Sequence, residues 1–260
     1  MSPPDCYCTE YGGRHPHAIL FNILSQKETN DLRNWDYYTT SHNCHCEQRR
    51  LVCLRNPEST CQAASAVLVK TVRFMKSLPS FHHLPRGDQT LLLRSCWVPL
   101  FILGLAQERI AFEVMDLPAN SILRKILLND QESHSERETE DCPPTLAGVH
   151  NLKLCLNKLL SLDLSPKEYA YLKGALLFNP EIRGLRSTTL IEGLQKEALR
   201  VLQEVIHTLY PNNRDRFTQI LLTASSLQTI AKSLVSELFF RPIIGQMDLL
   251  ELLNEILFTK

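Results

Sequence analysis

Residues Phe74 to Trp97 read F-M-K-S-L-P-S-F-H-H-L-P-R-G-D-Q-T-L-L-L-R-S-C-W and connect two helices. The first helix is predicted to end just before Pro79, because proline lacks the N–H donor that a helix interior needs. A short apolar linker, Phe81 to Pro85, follows it. Asp88 and Gln89 then open a second helix that is apolar on nearly every side. The rest of the fold is therefore expected to be built around these two helices.

Both helices can be followed outward from this stretch. Upstream, apolar side chains recur every three or four residues, the spacing of one helix face; they are Ala64, Leu68, Val72, Met75 and Leu78. Downstream, the second helix is predicted to run from Asp88 to about Phe112. A helix that is apolar all round lies inside a fold rather than on its surface. The second helix is therefore predicted to be the central one.

Several later helices begin with recognisable caps. Ser165 and Glu168 flank Pro166 in a capping box, in which the serine and glutamate side chains each bond a backbone amide. Thr189 to Glu192 repeats this pattern and is predicted to open another helix. Asp248 is predicted to cap the last helix. Further helices are predicted at Ser121–Leu128, Leu152–Leu162 and Phe217–Leu238, with a flexible loop at Asn129–Pro144.

The composition favours an all-α fold. Only 9 of the 260 residues are glycine, about half the usual share of roughly 7%. Hydrophobic residues make up 44% of the chain and charged residues 22%, as in globular proteins. No segment keeps the strict alternation of a half-buried strand. About nine helices need three layers to bury this much apolar surface.

The charge balance and the apolar runs exclude several classes of protein. Lys plus Arg equals Asp plus Glu, at 28 each, whereas a DNA-binding domain normally carries a basic excess. The amino end lacks the apolar core of a signal peptide. The longest uncharged apolar run, Trp97 to Ala106, is far shorter than the roughly 20 residues that span a bilayer. We therefore expect a soluble intracellular protein without membrane contact, with its nine cysteines reduced.

Several motifs together resemble the nuclear-receptor ligand-binding domain. The aromatic-spacer-D-Q-x-x-L-L signature consists of Phe81, Asp88, Gln89, Leu92 and Leu93. The other motifs are Leu177-Phe178-Asn179-Pro180, Arg216-Phe217 leading to Leu238-Phe239-Phe240, and Ile243-Ile244-Gly245 before the final helix. The resemblance implies a three-layer helical sandwich over residues 61–260. Residues 1–60 are expected to form a poorly ordered arm with one amphipathic docking helix.

The arm lacks the C-x-x-C pairs from which the zinc modules of a receptor DNA-binding domain are built. Its cysteines are spaced instead as Cys6-x-Cys8 and Cys44-x-Cys46. Receptor-like chains without a DNA-binding domain form a small subfamily, and resemblance to it implies an orphan corepressor with no DNA binding of its own. Such a protein binds other nuclear receptors, competes with coactivators and recruits corepressor proteins. It is expected in the nucleus and the cytoplasm.

Two short segments have the form L-x-x-I-L, which places three apolar side chains on one helix face. They are Leu20, Ile23 and Leu24 in the first and Leu123, Ile126 and Leu127 in the second. Such a face suits a shallow groove on another protein. Resemblance to the subfamily implies that both are receptor-docking motifs, with ordinary core packing as the alternative. Leu156-Asn157-Lys158-Leu159-Leu160 has a similar form but lies in a predicted core helix, where it is expected to pack inward.

The resemblance also implies a groove that accepts such helices. Lys76 matches the lysine that the family carries at the end of its third helix, and Glu255 matches the acid of its activation helix. The apolar positions of that helix are Leu252, Leu253, Ile256 and Leu257. A lysine suits the free carbonyls at the carboxyl end of a bound helix, and a glutamate suits the free amides at its amino end. Lys76 and Glu255 are therefore expected to form a clamp, with two solvated charges as the alternative.

Small-molecule binding has weaker support in the sequence. Glu108, next to Arg109, stands where retinoid-type members carry an arginine that anchors a carboxylate ligand. Bulky side chains are expected to fill the interior, namely Phe101, Phe112 and Met115. The alternative function is a ligand-sensing orphan receptor whose final helix closes over an apolar small molecule.

Neither catalysis nor metal binding is expected. The spacing of Cys44, Cys46, Cys53 and Cys61 is not that of a standard zinc site. No Ser-His-Asp or Cys-His set can be assembled from the sequence. The protein is therefore predicted to be a non-enzyme without cofactor or metal. A homodimer is expected through the helix from Phe217 to Leu238, which matches the dimer helix of the receptors.

Overall fold

In the computed structural model, residues 50–117, 144–245 and 247–259 are described. Two short strands, β1 (Val52–Leu54) and β2 (Val114–Asp116), pair antiparallel with Val52 opposite Asp116. The helices are α1 (Pro57–Ser77), α2 (Pro79–His82), α3 (Arg86–Gln107), α4 (Leu146–Leu162), α5 (Pro166–Leu177), α6 (Thr188–Leu209), α7 (Arg216–Leu227), α8 (Lys232–Val235), α9 (Arg241–Ile244) and α10 (Leu249–Phe258), with a π-helical turn at Ser236–Phe240. The all-α fold class is confirmed, with one small ribbon added.

Helix α3 is the inner element of the three-layer fold. It contacts α1 and α10 as well as α4, α5 and α7. By length and composition, it is the one helix among the described residues that is apolar enough to cross a membrane, but 78% of its apolar window is buried inside the fold. Such burial is expected of the central helix of a globular domain. The prediction that the second helix is the central one is therefore confirmed.

The end of α1 agrees with the sequence prediction, whereas the linker contains the short helix α2, α3 begins at Arg86 rather than Asp88, and the far end of α3 differs. Helix α1 ends at Ser77, before Pro79. Helix α3 ends at Gln107, so the prediction that it continues to Phe112 was wrong. Arg109 adopts a left-handed φ of 53°, and the Ile110 amide donates back to the Leu105 carbonyl at 2.9 Å. This bond pattern terminates a helix, and a glycine usually marks it in sequence.

The two predicted capping boxes have different outcomes. At α5 both reciprocal bonds are present, because the Glu168 amide donates to the Ser165 hydroxyl and the Ser165 amide donates to the Glu168 carboxylate. At α6 the prediction was wrong, since the helix starts at Thr188 and its cap residue Ser187 makes no side-chain cap bond. The amide of Ser187 is held instead by a carboxylate from α3. A long-range bond thus replaces the local cap.

The long helix predicted from Phe217 to Leu238 is broken. Helix α7 stops at Leu227, and Ala231 is extended with φ −63° and ψ 135° before α8 begins. The hydroxyl groups of Thr223, Ser226 and Thr229 lie near the break. Each donates to the backbone carbonyl three or four residues before it. Serine and threonine compete with helical bonding in this way. A continuous dimer helix over these residues was therefore a wrong prediction.

A buried ion pair links α5 to the start of α7. Arg216 donates from Nε to Glu168 Oε1 at 2.7 Å and from Nη2 to Oε2 at 3.0 Å. The two side chains are 9% and 0% exposed. Arg216 also donates from Nη1 to the Leu162 carbonyl at 2.9 Å and stacks over the Tyr210 ring at 4.0 Å. One side chain therefore joins the ends of α4, α5 and α6 to the start of α7.

Some sequence predictions fall at or beyond the limits of the described residues. The predicted helix Ser121–Leu128 and nearly all of the predicted loop Asn129–Pro144 lie outside them. Strand β1 and the first turn of α1 lie on the arm side of the boundary predicted at residue 61. Val52 and Leu54 of that strand are buried, at 1% and 5% exposure.

Candidate functional site

Lys76 lies in the last turn of α1, where its side chain is half-buried. Its Nζ donates hydrogen bonds to the carbonyl oxygens of Ile256 at 3.3 Å and Thr259 at 2.6 Å. Both carbonyls lie at the carboxyl end of α10, where a helix leaves its last carbonyls without partners. An ammonium group there also complements the helix dipole by roughly 0.3–1 kcal/mol. Lys76 therefore caps the final helix of its own chain.

Helix α10 turns an apolar face toward the body of the fold. Leu249, Leu253 and Leu257 follow one another at four-residue intervals and are 6%, 0% and 4% exposed. The partly buried side chains beside them are Leu250, Leu252 and Ile256. Residues 253–257 read L-N-E-I-L, which is the L-x-x-I-L form of the two predicted docking motifs. We call the seat of α10 on α1 and α3, with Lys76 at its carboxyl end, the α10 groove.

The amino end of α3 contributes a second cation to this groove. The guanidinium carbon of Arg86 lies 5.4 Å from the centroid of the Phe258 ring, a cation–π geometry. His82 Nε2 hydrogen-bonds the Lys76 carbonyl and so ties α2 to the last turn of α1. Two cations therefore face the carboxyl end of α10, Lys76 at its carbonyls and Arg86 at its last aromatic ring.

The predicted clamp residue Glu255 lies on the exposed side of α10. Its carbonyl accepts hydrogen bonds from the Thr259 amide at 2.8 Å and hydroxyl at 2.6 Å. Glu255 directly precedes Ile256, whose carbonyl Lys76 holds. Lys76 thus holds the carboxyl end of the same helix that carries Glu255, rather than the end of a bound peptide. Their clamp around a second helix stays a prediction, and it requires α10 to leave its groove.

In the D-Q pair of the signature, Asp88 joins distant parts of the chain and Gln89 bonds locally. Asp88 is 1% exposed, and its carboxylate accepts the backbone amides of Arg186 at 2.9 Å and Ser187 at 2.8 Å. Burial alone would raise the pKa of Asp88, but these hydrogen bonds outweigh it and hold the pKa below its ordinary value. Gln89 Nε2 donates to the Leu84 carbonyl at 2.9 Å. Sequence reasoning placed Asp88 at a helix start and missed its bonds to residues 98 and 99 positions away.

Aromatic side chains fill the interior between α3 and the π-helical turn. Phe101 lies 5.7 Å from Phe239 and 5.3 Å from Phe240 between ring centroids, both in edge-to-face geometry. Phe112 lies 5.0 Å from Phe239, and Trp97 lies 6.3 Å from Phe240. Edge-to-face pairs of this kind are favourable. The predicted filling of the interior by Phe101 and Phe112 is therefore confirmed.

The other residues considered for a ligand pocket point away from the interior. Met115 is 45% exposed, so the prediction that it fills the interior was wrong. Its strand pairs with β1, and both Met115 and the next residue, Asp116, are exposed. Glu108 pairs with Lys70 at 2.8 Å, and Arg109 pairs with Asp163 at 2.9 Å, both on the surface. Neither Glu108 nor Arg109 is therefore placed to anchor a ligand inside the fold.

The predicted docking motifs Leu20, Ile23 and Leu24, and Leu123, Ile126 and Leu127, lie outside the described residues. The similar segment in α4 is described. Leu156 and Leu159 are 6% and 0% exposed, whereas Leu160 is 36% exposed. The prediction that this segment packs inward is therefore confirmed for two of its three leucines.

Among the described cysteines, Cys61, Cys96 and Cys155 are buried and Cys53 is half-buried. Burial raises the pKa of Cys96 to about 12. Burial also raises the pKa of Cys53 and of Cys61. The thiolate is the nucleophile and the metal ligand, so a raised pKa makes a thiol inert. Within residues 50–117, 144–245 and 247–259, no three His, Cys, Asp or Glu side chains are placed to share a metal ion.

Known proteins match this chain in sequence. Residues 48–244 match the sequence pattern of a protein family, the ligand-binding domain of nuclear hormone receptor. Nuclear receptor subfamily 0 group B member 2 of Homo sapiens is 49% identical over 260 residues, covering 99% of this chain and 98% of that protein. Its counterpart from Rattus norvegicus is 45% identical over 257 residues, covering 98% and 97%. Nuclear receptor subfamily 0 group B member 1 of Homo sapiens is 38% identical over 226 residues, covering 81% of this chain and 48% of that protein.

The matched region contains the structural features described above. It includes the signature with its Asp88 bonds, the aromatic interior, the buried Glu168–Arg216 pair and Lys76. Fold, signature and sequence matches agree with one another and with the resemblance seen in the sequence. The chain therefore belongs to the nuclear-receptor family of transcription regulators through its ligand-binding domain, and not to a family of enzymes.

Proposed function

We propose that this protein is a transcriptional corepressor that docks on other nuclear receptors through L-x-x-I-L helices. The docking motifs are residues 20–24 and 123–127. By filling the groove of another receptor, they exclude coactivators, while the rest of the chain recruits corepressor proteins. The protein has no DNA binding of its own and acts in the nucleus, with a further pool in the cytoplasm.

The observation that carries this proposal is the seating of α10. A helix of the form L-x-x-I-L lies in the α10 groove, with Leu253 and Leu257 buried and Lys76 on its last carbonyls. Full burial of a leucine side chain is favourable by about 1.5–3 kcal/mol. Residues 20–24 and 123–127 carry the same apolar triplet. Because α10 fills the groove of its own chain, the protein is suited to donate docking helices rather than to accept them.

A competition assay tests the proposal. The full chain is titrated against a labelled coactivator peptide bound to the ligand-binding domain of another nuclear receptor, and displacement is followed by fluorescence polarisation. We expect the Leu20→Ala/Leu24→Ala variant to need at least about tenfold more protein for displacement, since about 1.4 kcal/mol corresponds to tenfold. Leu123→Ala/Leu127→Ala tests the second motif in the same way.

The matched control is Leu154→Ala, since Leu154 is 45% exposed on α4 and lies in no L-x-x-I-L motif. This variant is expected to displace the peptide as the unchanged chain does. Equal displacement by the unchanged chain and by the chain with all four motif substitutions would contradict the proposal.

A further inference from the structure

We propose that a cavity between α3, α5 and the break after α7 binds a small monocarboxylate with an apolar body. The cavity has a volume of about 240 Å³. This is less than the roughly 300–1,000 Å³ of sites for drug-sized molecules, so the cavity suits a ligand built on a single ring. None of the aromatic side chains that fill the interior lines it. The inference concerns a small molecule and does not depend on docking to other receptors.

Apolar side chains from three parts of the fold line the cavity. Val98 comes from α3, Leu176 from α5 and Leu227 from the end of α7, while Ile230 lies within the break. Val98, Leu227 and Ile230 are 1%, 0% and 4% exposed. An apolar ring placed against these side chains leaves water, which is favourable. The walls therefore suit the apolar body of a ligand.

Lys232 supplies the only charged side chain among the described residues that line the cavity. It is the first residue of α8, directly after the extended Ala231 that ends the break. Its Nζ donates to the Arg94 carbonyl of α3 at 2.8 Å. An ammonium group has three N–H donors, so this bond leaves two of them for a ligand. The break after Leu227 thus brings a cation with unused donors to the edge of the cavity.

Asn179 adds a neutral donor to the lining. Its Oδ1 accepts the Glu181 amide at 3.0 Å, which fixes the orientation of its side-chain amide group. Within the described part of the chain, the Nδ2 group of Asn179 donates no hydrogen bond. A carboxylate accepts hydrogen bonds at both oxygens, and bonds to a charged donor are the stronger kind. Lys232 and Asn179 together therefore match one carboxylate group.

The thiol of Cys96 lines the same cavity and carries no charge near neutral pH. Burial raises the pKa of Cys96 to about 12, although the charge of Lys232 acts to lower it. The electrostatic effect of Lys232 therefore reaches this wall. No Asp or Glu side chain is among the described residues of the lining. A positive field without a nearby carboxylate favours an anion over a neutral molecule of the same shape.

Fluorine-19 NMR of the full chain with two probes tests the proposal. The probes are 4-(trifluoromethyl)benzoate and its neutral analogue 4-(trifluoromethyl)benzamide, each titrated near neutral pH. We expect saturable binding of the benzoate with a Kd of about 0.1–1 mM, as for other ligands of this size. The benzamide should bind at least about tenfold more weakly, because it lacks the charge that pairs with Lys232. No saturable binding of the benzoate, or equal Kd values for the two probes, would overturn the proposal.

Two variants test the location of the site. Gln228→Trp enlarges an exposed side chain of the lining so that it fills the cavity, and it is expected to weaken the benzoate at least about tenfold. Lys232→Met keeps an apolar stem without the charge, so it should weaken the benzoate at least about tenfold and the benzamide less than about twofold. The matched control is Lys167→Met, an exposed lysine of α5 outside the lining, which should change neither Kd.

Circular dichroism melting curves check that each variant is folded, because Lys232 also bonds α3. If Lys232→Met does not fold, the ratio of the two Kd values in the unchanged chain decides the role of the charge, and Gln228→Trp decides the location. An unchanged benzoate Kd in folded Gln228→Trp would place the binding elsewhere and refute the proposal. An unchanged benzoate Kd in folded Lys232→Met would refute it equally.

Discussion

Replacing Arg216 by methionine removes the charge that neutralises Glu168 while keeping a side chain of similar length. Glu168 is fully buried, and the guanidinium supplies its bonds at 2.7 and 3.0 Å. After the change, the carboxylate keeps only the Ser165 amide at 2.8 Å. The Leu162 carbonyl also loses its donor at 2.9 Å.

The magnitude follows from this geometry. Breaking a buried ion pair by removing one partner costs about 3–5 kcal/mol, because the other charge stays buried without compensation. The free energy of unfolding of an ordinary domain is about 5–15 kcal/mol. Arg216→Met is therefore expected to remove a large part of the free energy of unfolding. Adding Glu168→Gln removes the stranded charge, so the double variant is expected to be more stable than Arg216→Met alone.

The effect of pH has a definite sign. Burial alone would raise the pKa of Glu168, but the bonds from Arg216 and Ser165 outweigh it and hold the pKa below 4.5. A carboxyl with a lowered pKa stabilises the fold above its unfolded pKa, and this stabilisation is lost as pH falls through the folded pKa. In Arg216→Met, burial dominates and the pKa of Glu168 rises above its ordinary value. The stability difference between the two proteins should therefore shrink as pH falls from neutral to below about 4.5.

Urea unfolding followed by circular dichroism measures these differences at several pH values. The control is Arg55→Ala, because the Arg55–Glu113 pair at 2.7 Å is 62% and 66% exposed. An exposed pair contributes about 0–1 kcal/mol. A loss below about 1 kcal/mol for Arg216→Met, or a difference that stays constant with pH, would refute the reasoning.

Further substitutions at Gly104, Asp88 and Lys76, each with a comparison, test the packing around the groove. In Gly104→Ala the new Cβ would lie 2.6 Å from Val67 Cγ1, so the free energy of unfolding in urea is expected to fall by about 1–3 kcal/mol. The comparison is Gly193→Ala, whose Cβ meets nothing within 4 Å; it is expected to raise the free energy of unfolding by about 0.5–1 kcal/mol. Asp88→Ala leaves the part-buried bonds of the Arg186 and Ser187 amides without their acceptor and is expected to lower stability by about 1–3 kcal/mol, whereas Asp88→Asn should cost less. Lys76→Ala removes the cap of α10, so hydrogen exchange of α10 amides is expected to speed up about tenfold while exchange in α6 stays unchanged; equal rates in α10 would contradict the capping role.

Features that depend on nearby residues could be predicted from the sequence. The end of α1 before Pro79, the capping box at Ser165 and the Asp248 cap of α10 all rest on bonds within a few residues. The end of α3 at a left-handed arginine and the break after Leu227 were missed. In both places tertiary packing or side-chain bonding overrides an apolar periodicity that continues through the sequence.

The sequence by itself determined the family, the central helix and the L-x-x-I-L form of residues 253–257, because each is a pattern of residue types along one segment. It also pointed to Lys76 and Glu255 as charges at a groove. Only the tertiary structure decided that Lys76 holds the carbonyls of Ile256 and Thr259, which lie 180 and 183 positions further along the chain. A hydrogen bond needs atoms within about 3 Å, and spacing along the sequence does not specify which distant carbonyls come that close.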